Sequence, residues 1–247
     1  MTRFRREAEP FSCMRNCYTA HMNKLVGYLL ALAALGILAY AVYANAPRIP
    51  ALPEDTGTAA GTEMRVATEF VGTDAYRIEA RYPQFGNPLV DEKIKAAVDV
   101  AIADFKTIPP NPPGSATPKN EFTGSFDTVY AGSDVVSVKL LLSQDTGGAH
   151  PNTAAVGVNV DPKTGRQLAL DDALVLTGMT LEQVAAESLA QLKAKLGPDL
   201  ISPQGADPKP ENYGTFLVSA SAVTFVFQSY QVAPYSSGMQ EISFPRK

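Results

Sequence analysis

Residues 134 to 161 read DVVSVKLLLSQDTGGAHPNTAAVGVNVD, and the reading of this stretch decides the fold. Asp134 to Ser143 and Thr153 to Val160 are rich in β-branched and aliphatic residues, the composition of strands. Between them lies Gly147-Gly148-Ala149-His150-Pro151-Asn152. Two adjacent glycines permit backbone angles that other residues avoid, and Pro151 pushes His150 into an extended conformation. The pattern predicts neighbouring strands joined by a shaped, exposed loop.

Outward from this pair the chain stays rich in strands. Phe122 to Tyr130 precedes it, and Asp161-Pro162-Lys163-Thr164-Gly165 turns the chain toward Arg166 to Leu170, so an antiparallel meander is expected. Further upstream, Tyr76, Ile78, Ala80 and Tyr82 alternate with Arg77, Glu79 and Arg81, the period of a strand with one buried face. Asn87-Pro88 supplies a cap and a first-position proline, and Val90, Ile94, Ala97, Val98, Ala101, Ile102 and Phe105 then recur at helical spacing. Downstream, Thr180 and Gln183 form a capping pair for a helix that buries Leu181, Val184, Ala185, Leu189, Leu192 and Leu196 and stops at Gly197-Pro198. Tyr213 to Val218 and Ala222 to Phe227 read as a hairpin, and Gly238 to Phe244 as a last strand. These elements predict an α+β, two-layer fold with a mostly antiparallel sheet and two main helices.

The N-terminal quarter reads differently. Leu25 to Ala46 carries no charge and is long enough, at about 1.5 Å per residue, to cross a hydrocarbon layer of roughly 30 Å. Arg3, Arg5, Arg6, Arg15 and Lys24 lie ahead of it, which predicts an N-terminus in the cytoplasm and the remainder outside. The expected organisation is a basic cytoplasmic tail over 1–24, a transmembrane signal anchor or signal peptide over 25–46, a linker over 47–62 and an extracytoplasmic domain over 63–247. Met22 offers an alternative start. Ala44-Asn45-Ala46 has the form of a signal-peptidase site, so cleavage after Ala46 would give a periplasmic product, although Pro47 opposes cleavage.

Of 247 residues, 45% are hydrophobic and 19% charged, enough for one sizeable core. The formal charge is −4, but the basic tail hides an acidic remainder: 16 basic and 23 acidic residues follow position 46, a net of −7. That balance excludes nucleic acid as an expected ligand and favours a cationic partner. Cys13 and Cys17, with His21, offer three ligands at best for a metal that needs about four, so no metal or other cofactor is expected.

His150 is the one histidine after the apolar run. A serine hydrolase would need a nucleophile elbow of the Gly-x-Ser-x-Gly kind, and none is present. Nor is there a phosphate-binding glycine loop or a His-Glu-x-x-His pair. Asp145 is close enough in sequence to orient the imidazole, but a loop histidine that shapes its turn is the expectation. Asp171-Asp172 stands where a short helix would begin, and capping accounts for it. The second unusual stretch is Tyr230-Gln231-Val232-Ala233-Pro234-Tyr235-Ser236-Ser237-Gly238, a stiff loop whose tyrosines suit recognition at low entropy cost or pack on the core.

Three segments together carry a family resemblance. Gly147 to Asn152, then Asp161 to Gly165 with Leu168-Ala169-Leu170-Asp171-Asp172, resembles the C-terminal extracytoplasmic domain of RsiV-like proteins. Tyr230 to Gly238 with Gln240-Glu241-Ile242 resembles the closing motif of that family, and Tyr82-Pro83-Gln84 followed by the Val90 to Phe105 helix is similar to the PdaC-type region that precedes it. The resemblance implies an envelope-facing domain that, in the anti-sigma factor branch, binds lysozyme, and in the peptidoglycan deacetylase branch accompanies a separate catalytic domain. At most 24 residues are available on the cytoplasmic side here, short for a sigma-binding module.

The expectation is a non-catalytic binding module of the cell envelope, held in the membrane through Leu25 to Ala46 and recognising a lysozyme-like cationic protein or peptidoglycan. Its expected partner-binding residues are Gly148, His150, Pro151, Asn152, Tyr230, Pro234 and Tyr235. Two alternatives stand beside it: a membrane-bound sensor or anti-sigma-like regulator, and an envelope glycan hydrolase or deacetylase acting through His150.

Overall fold

The computed structural model describes residues 64–112 and 117–247. The apolar segment 25–46, the Cys13-Cys17-His21 group, the possible cleavage site and the linker over 47–62 lie outside the described residues. Among the described residues no helix is long and apolar enough to cross a membrane.

Two sheets form, in place of the single sheet expected. The first has five strands in spatial order β1-β2-β3-β4-β5: β1 (Arg65–Gly72), β2 (Tyr76–Gln84), β3 (Asn120–Ala131), β4 (Val136–Asp145) and β5 (Asn152–Val160). The pairings are antiparallel except β2 with β3, which is parallel. A parallel neighbour needs a crossover, and helix α1 (Pro88–Lys106) with its proline-rich exit loop supplies one. Asn87 caps α1 by accepting from Leu89 N at 3.1 Å, with Pro88 at the first helical position. Its buried stripe of Val90, Ile94, Val98, Ile102 and Phe105 lies on Ile78, Ala80, Phe122, Val138, Leu140, Val158 and Val160. Each fully buried side chain of this kind contributes roughly 1.5–3 kcal/mol of transfer free energy.

The second sheet has three strands, β6 (Phe216–Val218), β7 (Ala222–Phe227) and β8 (Gln240–Pro245), all antiparallel. Helices α2 (Leu170–Thr177) and α3 (Leu181–Leu196) pack against it through Ala173, Val184, Ala185 and Leu192, which meet Val223, Phe225, Phe227, Ile242 and Phe244. Thr180 and Gln183 cap α3 reciprocally, Gln183 N donating to Thr180 Oγ1 and Thr180 N to Gln183 Oε1.

Two expectations are corrected. First, Arg166 to Leu170 does not continue the meander; the short helix expected at Asp171-Asp172 follows at once as α2, a third α-helix beside the two main ones. One isolated bridge, Val160 with Gln167, is all that remains of that strand. Asp172 Oδ2 then accepts from Ala169 N and Arg166 Nη1, both at 2.8 Å, and starts α2; the same bonds, that to Arg166 foremost, hold the Asp172 carboxyl below its ordinary range. Secondly, a two-layer reading understates the packing. Even-numbered residues of β4 and β5 face α1, while Ala155 and Leu141 on the other face meet Leu217 and Val226 of the second sheet.

Polar groups join the sheets there. Asn159, 1% exposed, donates from Nδ2 to Phe216 O at 2.8 Å and accepts from Ser137 Oγ at 2.6 Å, and Ser137 Oγ accepts from Val218 N at 3.0 Å. The Gln228 side chain pairs with Ala155 as a strand would, accepting from its N and donating to its O, both at 2.9 Å. A bulge at Asp127 in β3 aims its carboxylate at Lys139, which also meets Glu241 of β8 at 2.5 Å. Burial alone would push the Lys139 ammonium down; the hydrogen bonds it donates to Glu241 and Asp127 outweigh burial and hold the group above its ordinary value.

Candidate functional site

The β4–β5 loop is built from its own sequence. Asp145, the last residue of β4, accepts from Gly147 N at 2.9 Å, and Gly147 then takes φ +84°, a value that favours glycine. A side chain there would run into Thr117. Asn111 Nδ2 braces the turn by donating to Pro118 O at 2.6 Å and Thr146 O at 3.3 Å. Asp145 is thereby committed to the turn, and the His150 ring finds other partners.

The β7–β8 loop is shaped by a buried plug. Val232 and Ala233, at 0% and 1% exposure, enter the second core, so the residues on either side are turned outward. Gln231 fastens the plug: its Oε1 accepts from Gln228 N, and its Nε2 donates to Gly205 O and Asn212 O. Tyr230 adopts φ +68°, the sole positive φ outside glycine among the described residues. A non-glycine side chain in that region costs about 1–2 kcal/mol. Pro234 opens a short 3-10 turn, Tyr235–Ser237, and Gln240 Nε2, buried in β8, closes it by donating to Ser237 O at 2.6 Å.

The two loops meet. The His150 ring stacks face to face on Tyr235 with centroids 3.7 Å apart and an interplanar angle of 14°, and Tyr230 lies 6.1 Å from His150 and 5.5 Å from Tyr235. His150 Nδ1 is 3.0 Å from Pro151 O, and Nε2 is 3.0 Å from Tyr230 Oη. A carbonyl only accepts, so this network places the proton on Nδ1 and leaves Nε2 to accept from the Tyr230 hydroxyl. Tyr235 Oη points at the same Pro151 carbonyl from 3.5 Å. Tyr230 is 58% exposed, Tyr235 36%, and His150 and Pro151 are also exposed, so three rings make a continuous platform open to solvent.

Of the residues expected from sequence, His150, Pro151, Tyr230 and Tyr235 come together. Pro234 opens the 3-10 turn, Gly148 lies exposed in the β4–β5 loop without a positive φ, and Asn152 opens β5 opposite Gln144. Tyr235 packs on the imidazole, not on the core. The supporting roles of Gln228, Gln231 and Gln240 are not legible in the sequence: each depends on a backbone group, of Ala155, Gly205, Asn212 or Ser237, that only the fold brings close. No group of three or more metal-ligating side chains occurs among the described residues.

Comparison with known proteins adds three findings. Over 187 residues the chain is 23% identical to the peptidoglycan-N-acetylmuramic acid deacetylase PdaC of Bacillus subtilis (strain 168), a match covering 74% of this chain and 40% of that protein. The chain therefore spans well under half the length of this relative. Two crystal structures align over 75% of this chain and 90% of theirs: a DUF3298 family protein from Pseudomonas aeruginosa PAO1, with a TM-score of 0.48 at 17% identity, and a DUF3298 family member from Bacteroides fragilis NCTC 9343, with 0.49 at 16%. Residues 174–247, which hold α3, the second sheet and the Tyr230 to Gly238 loop, match the model of a family described as a protein of unknown function, DUF3298.

Proposed function

We propose that the chain is a non-catalytic binding module of the cell envelope and that the His150–Tyr230–Tyr235 platform is its recognition surface, with peptidoglycan as the ligand. The observation that carries this reading is the convergence of two loops, 80 residues apart at His150 and Tyr230, on one exposed aromatic surface. The strained backbone of Tyr230 supports it, because a non-glycine φ of this kind persists where the surroundings impose it, and such strain clusters at binding sites. Flat rings held by loops on a rigid scaffold offer large area at low entropy cost, suited to the apolar faces of sugar rings. The relative PdaC, by its name, acts on peptidoglycan N-acetylmuramic acid.

The geometry gives less support to catalysis. Asp145 caps its own turn, and both ring nitrogens of His150 are engaged, one by a carbonyl and one by a phenol. The one ring lone pair accepts from the Tyr230 hydroxyl, so a substrate proton would have to displace that phenol to reach it. In this proposal the chain is held at the membrane through Leu25 to Ala46 with residues 63–247 outside, as in the RsiV-like family.

A lysozyme-like cationic protein is the second reading, favoured by the net of −7 after position 46. Co-sedimentation of the full chain with purified sacculi, and separately its capture on immobilised c-type lysozyme at physiological salt, distinguishes the two. Retention on sacculi that His150→Ala and Tyr235→Ala abolish supports the first reading. Salt-sensitive capture by lysozyme alone favours the second, and failure of both with folded protein removes the binding role.

A further inference from the structure

His150 is placed to take a second proton without moving. Its Nδ1–H already donates to Pro151 O, and its Nε2 accepts from the Tyr230 hydroxyl, both at 3.0 Å. A protonated imidazole donates from both nitrogens, and here both acceptors are in position: a carbonyl, which only accepts, and a phenol oxygen, which can do either. The Tyr235 ring, stacked with its centroid 3.7 Å from that of the imidazole, offers a face that attracts a cation. Only the phenol hydrogen has to change, by turning away from Nε2. Tyr230 Oη has no second partner among the described residues and Tyr230 is 58% exposed, so that hydrogen turns toward solvent or a ligand.

The charged groups around the two loops are acidic. Asp145 stands at the foot of the β4–β5 loop, where it accepts from Gly147 N and lies opposite Glu121 of β3. Asp199 lies beside the β7–β8 loop and accepts from Ser237 Oγ at 3.4 Å. Lys119, just before β3, is drawn away to Thr73 O at 3.0 Å, and no lysine or arginine among the described residues bonds to either loop. Tyr230 and Tyr235 are the other titratable groups in contact with the ring. Phenols ordinarily ionise at about pH 10, well above the interval of about pH 5 to 8 in which imidazole changes charge. Protonated His150 is therefore the cation this surface can supply. Peptidoglycan carries carboxylates on its peptide stems, and the uncharged platform offers them no counter-charge.

We propose that His150 and Tyr230 form a proton-operated switch through which the platform binds a carboxylate of its ligand. In the neutral state the phenol hydrogen is engaged on Nε2. In the protonated state the platform carries a positive charge and directs a free phenol O–H outward, and a carboxylate is attracted by the first and accepts from the second. One proton is taken up per site, and no heavy atom moves. Binding is strongest below the interval in which the imidazole loses its proton and weakens as pH rises through it. The inference rests on the reading of the platform as a peptidoglycan-binding surface, and adds which group of that ligand is read.

Calorimetry of the full chain in detergent, with a soluble disaccharide-peptide muropeptide at about pH 5.5 and about pH 7.5, tests this; the peptide carboxylates stay ionised at both. One unit charge about 4 Å from a carboxylate is worth about fivefold in water-like surroundings, so affinity is expected to rise about threefold or more at the lower pH. Buffers of different ionisation heat are expected to show proton uptake on binding. A neutral chitooligosaccharide, which has sugar rings and acetamides without carboxylates, is expected to show neither effect. His150→Gln, which cannot gain a charge, is expected to remove both from the muropeptide. Saturable binding with equal affinity at the two pH values and no proton uptake overturns the switch and leaves the recognition reading standing. Absence of muropeptide binding at both removes that reading and the switch with it, and an equal gain for the chitooligosaccharide overturns the carboxylate assignment. Ring-nitrogen spectra of the ligand-free chain labelled at histidine, with the His150 signals identified by their loss in His150→Gln, read the starting state independently. A proton on Nδ1 and none on Nε2 at about pH 7.5 is the expected pattern; a proton on Nε2 there contradicts the switch.

Discussion

Replacing Tyr230 separates a structural corner from a recognition surface. At φ +68° the tyrosine backbone is held in the left-handed region at a cost of about 1–2 kcal/mol, which glycine does not incur. Glycine in turn gives up about 0.5–1 kcal/mol through the greater freedom of its unfolded chain. The substitution also removes a hydrogen bond to His150 and a tilted ring contact with Tyr235, together about 1–2 kcal/mol, toward the lower end because Tyr230 is more than half exposed. The opposing terms leave Tyr230→Gly within about 1 kcal/mol of wild type. Tyr230→Ala loses the same contacts and keeps the strain, so it falls below Tyr230→Gly by about 0.5–1 kcal/mol. Urea unfolding followed by tyrosine fluorescence measures both, the chain having ten tyrosines and no tryptophan. Ligand binding by either variant is expected to drop about fivefold to thirtyfold, the usual result of removing a tyrosine anchor. If Tyr230→Gly costs more than about 3 kcal/mol, the ring holds the fold together and the strain has no recognition role; if the alanine variant is as stable as the glycine variant, the strain argument fails.

Other expectations concern the junction of the sheets and the two cores. Asn159→Ala strands the Phe216 carbonyl and deprives Ser137 of its acceptor, which predicts a loss of about 2–5 kcal/mol in urea unfolding at constant slope. Gly157→Ala puts a methyl group against the Phe216 backbone carbonyl, which cannot swing aside, and a loss of about 1–3 kcal/mol is expected in the same assay. Burial, joined by the Glu69 carboxylate, raises Tyr82 from 10.0 to about 12, and burial raises Tyr213 likewise to about 12. Groups whose folded value is raised stabilise fully below the unfolded value and lose that contribution as pH rises through the folded one, so melting temperature is expected to fall between pH 10 and about 12. Tyr82→Phe should flatten that decline, and an unchanged profile would contradict the assignment.

Much of the fold is legible in the sequence where a period and a punctuation mark coincide. Asn87-Pro88 before the Val90 to Phe105 stripe, and Thr180 with Gln183 before Leu181 to Leu196, place two helices with their caps. The strands flanking Gly147 to Asn152 are equally plain. Other features depend on neighbours distant in the chain. β1 carries exposed valine and phenylalanine on the face where alternation predicts polar residues, so no half-buried pattern marks it. The junction of the two sheets is made by Ser137, Asn159 and Gln228, whose partners lie from 22 to 81 residues away. The aromatic platform was visible as two unusual loops, but nothing local joins His150 to Tyr230 and Tyr235. Their meeting follows from the second sheet packing on the β4–β5 face of the first.

His150 supplies its own probe of the central claim, because the chain has two histidines and His150 is the one in the described domain. Proton–carbon spectra of the full chain labelled at histidine, recorded as a soluble muropeptide is added, read the imidazole at the centre of the platform. A saturable shift of the His150 ring resonance, lost in Tyr235→Ala while the spectrum of the fold is preserved, is the predicted result. A His150 resonance that stays in place at saturating muropeptide, in protein that remains folded, would contradict the assignment of this surface to peptidoglycan.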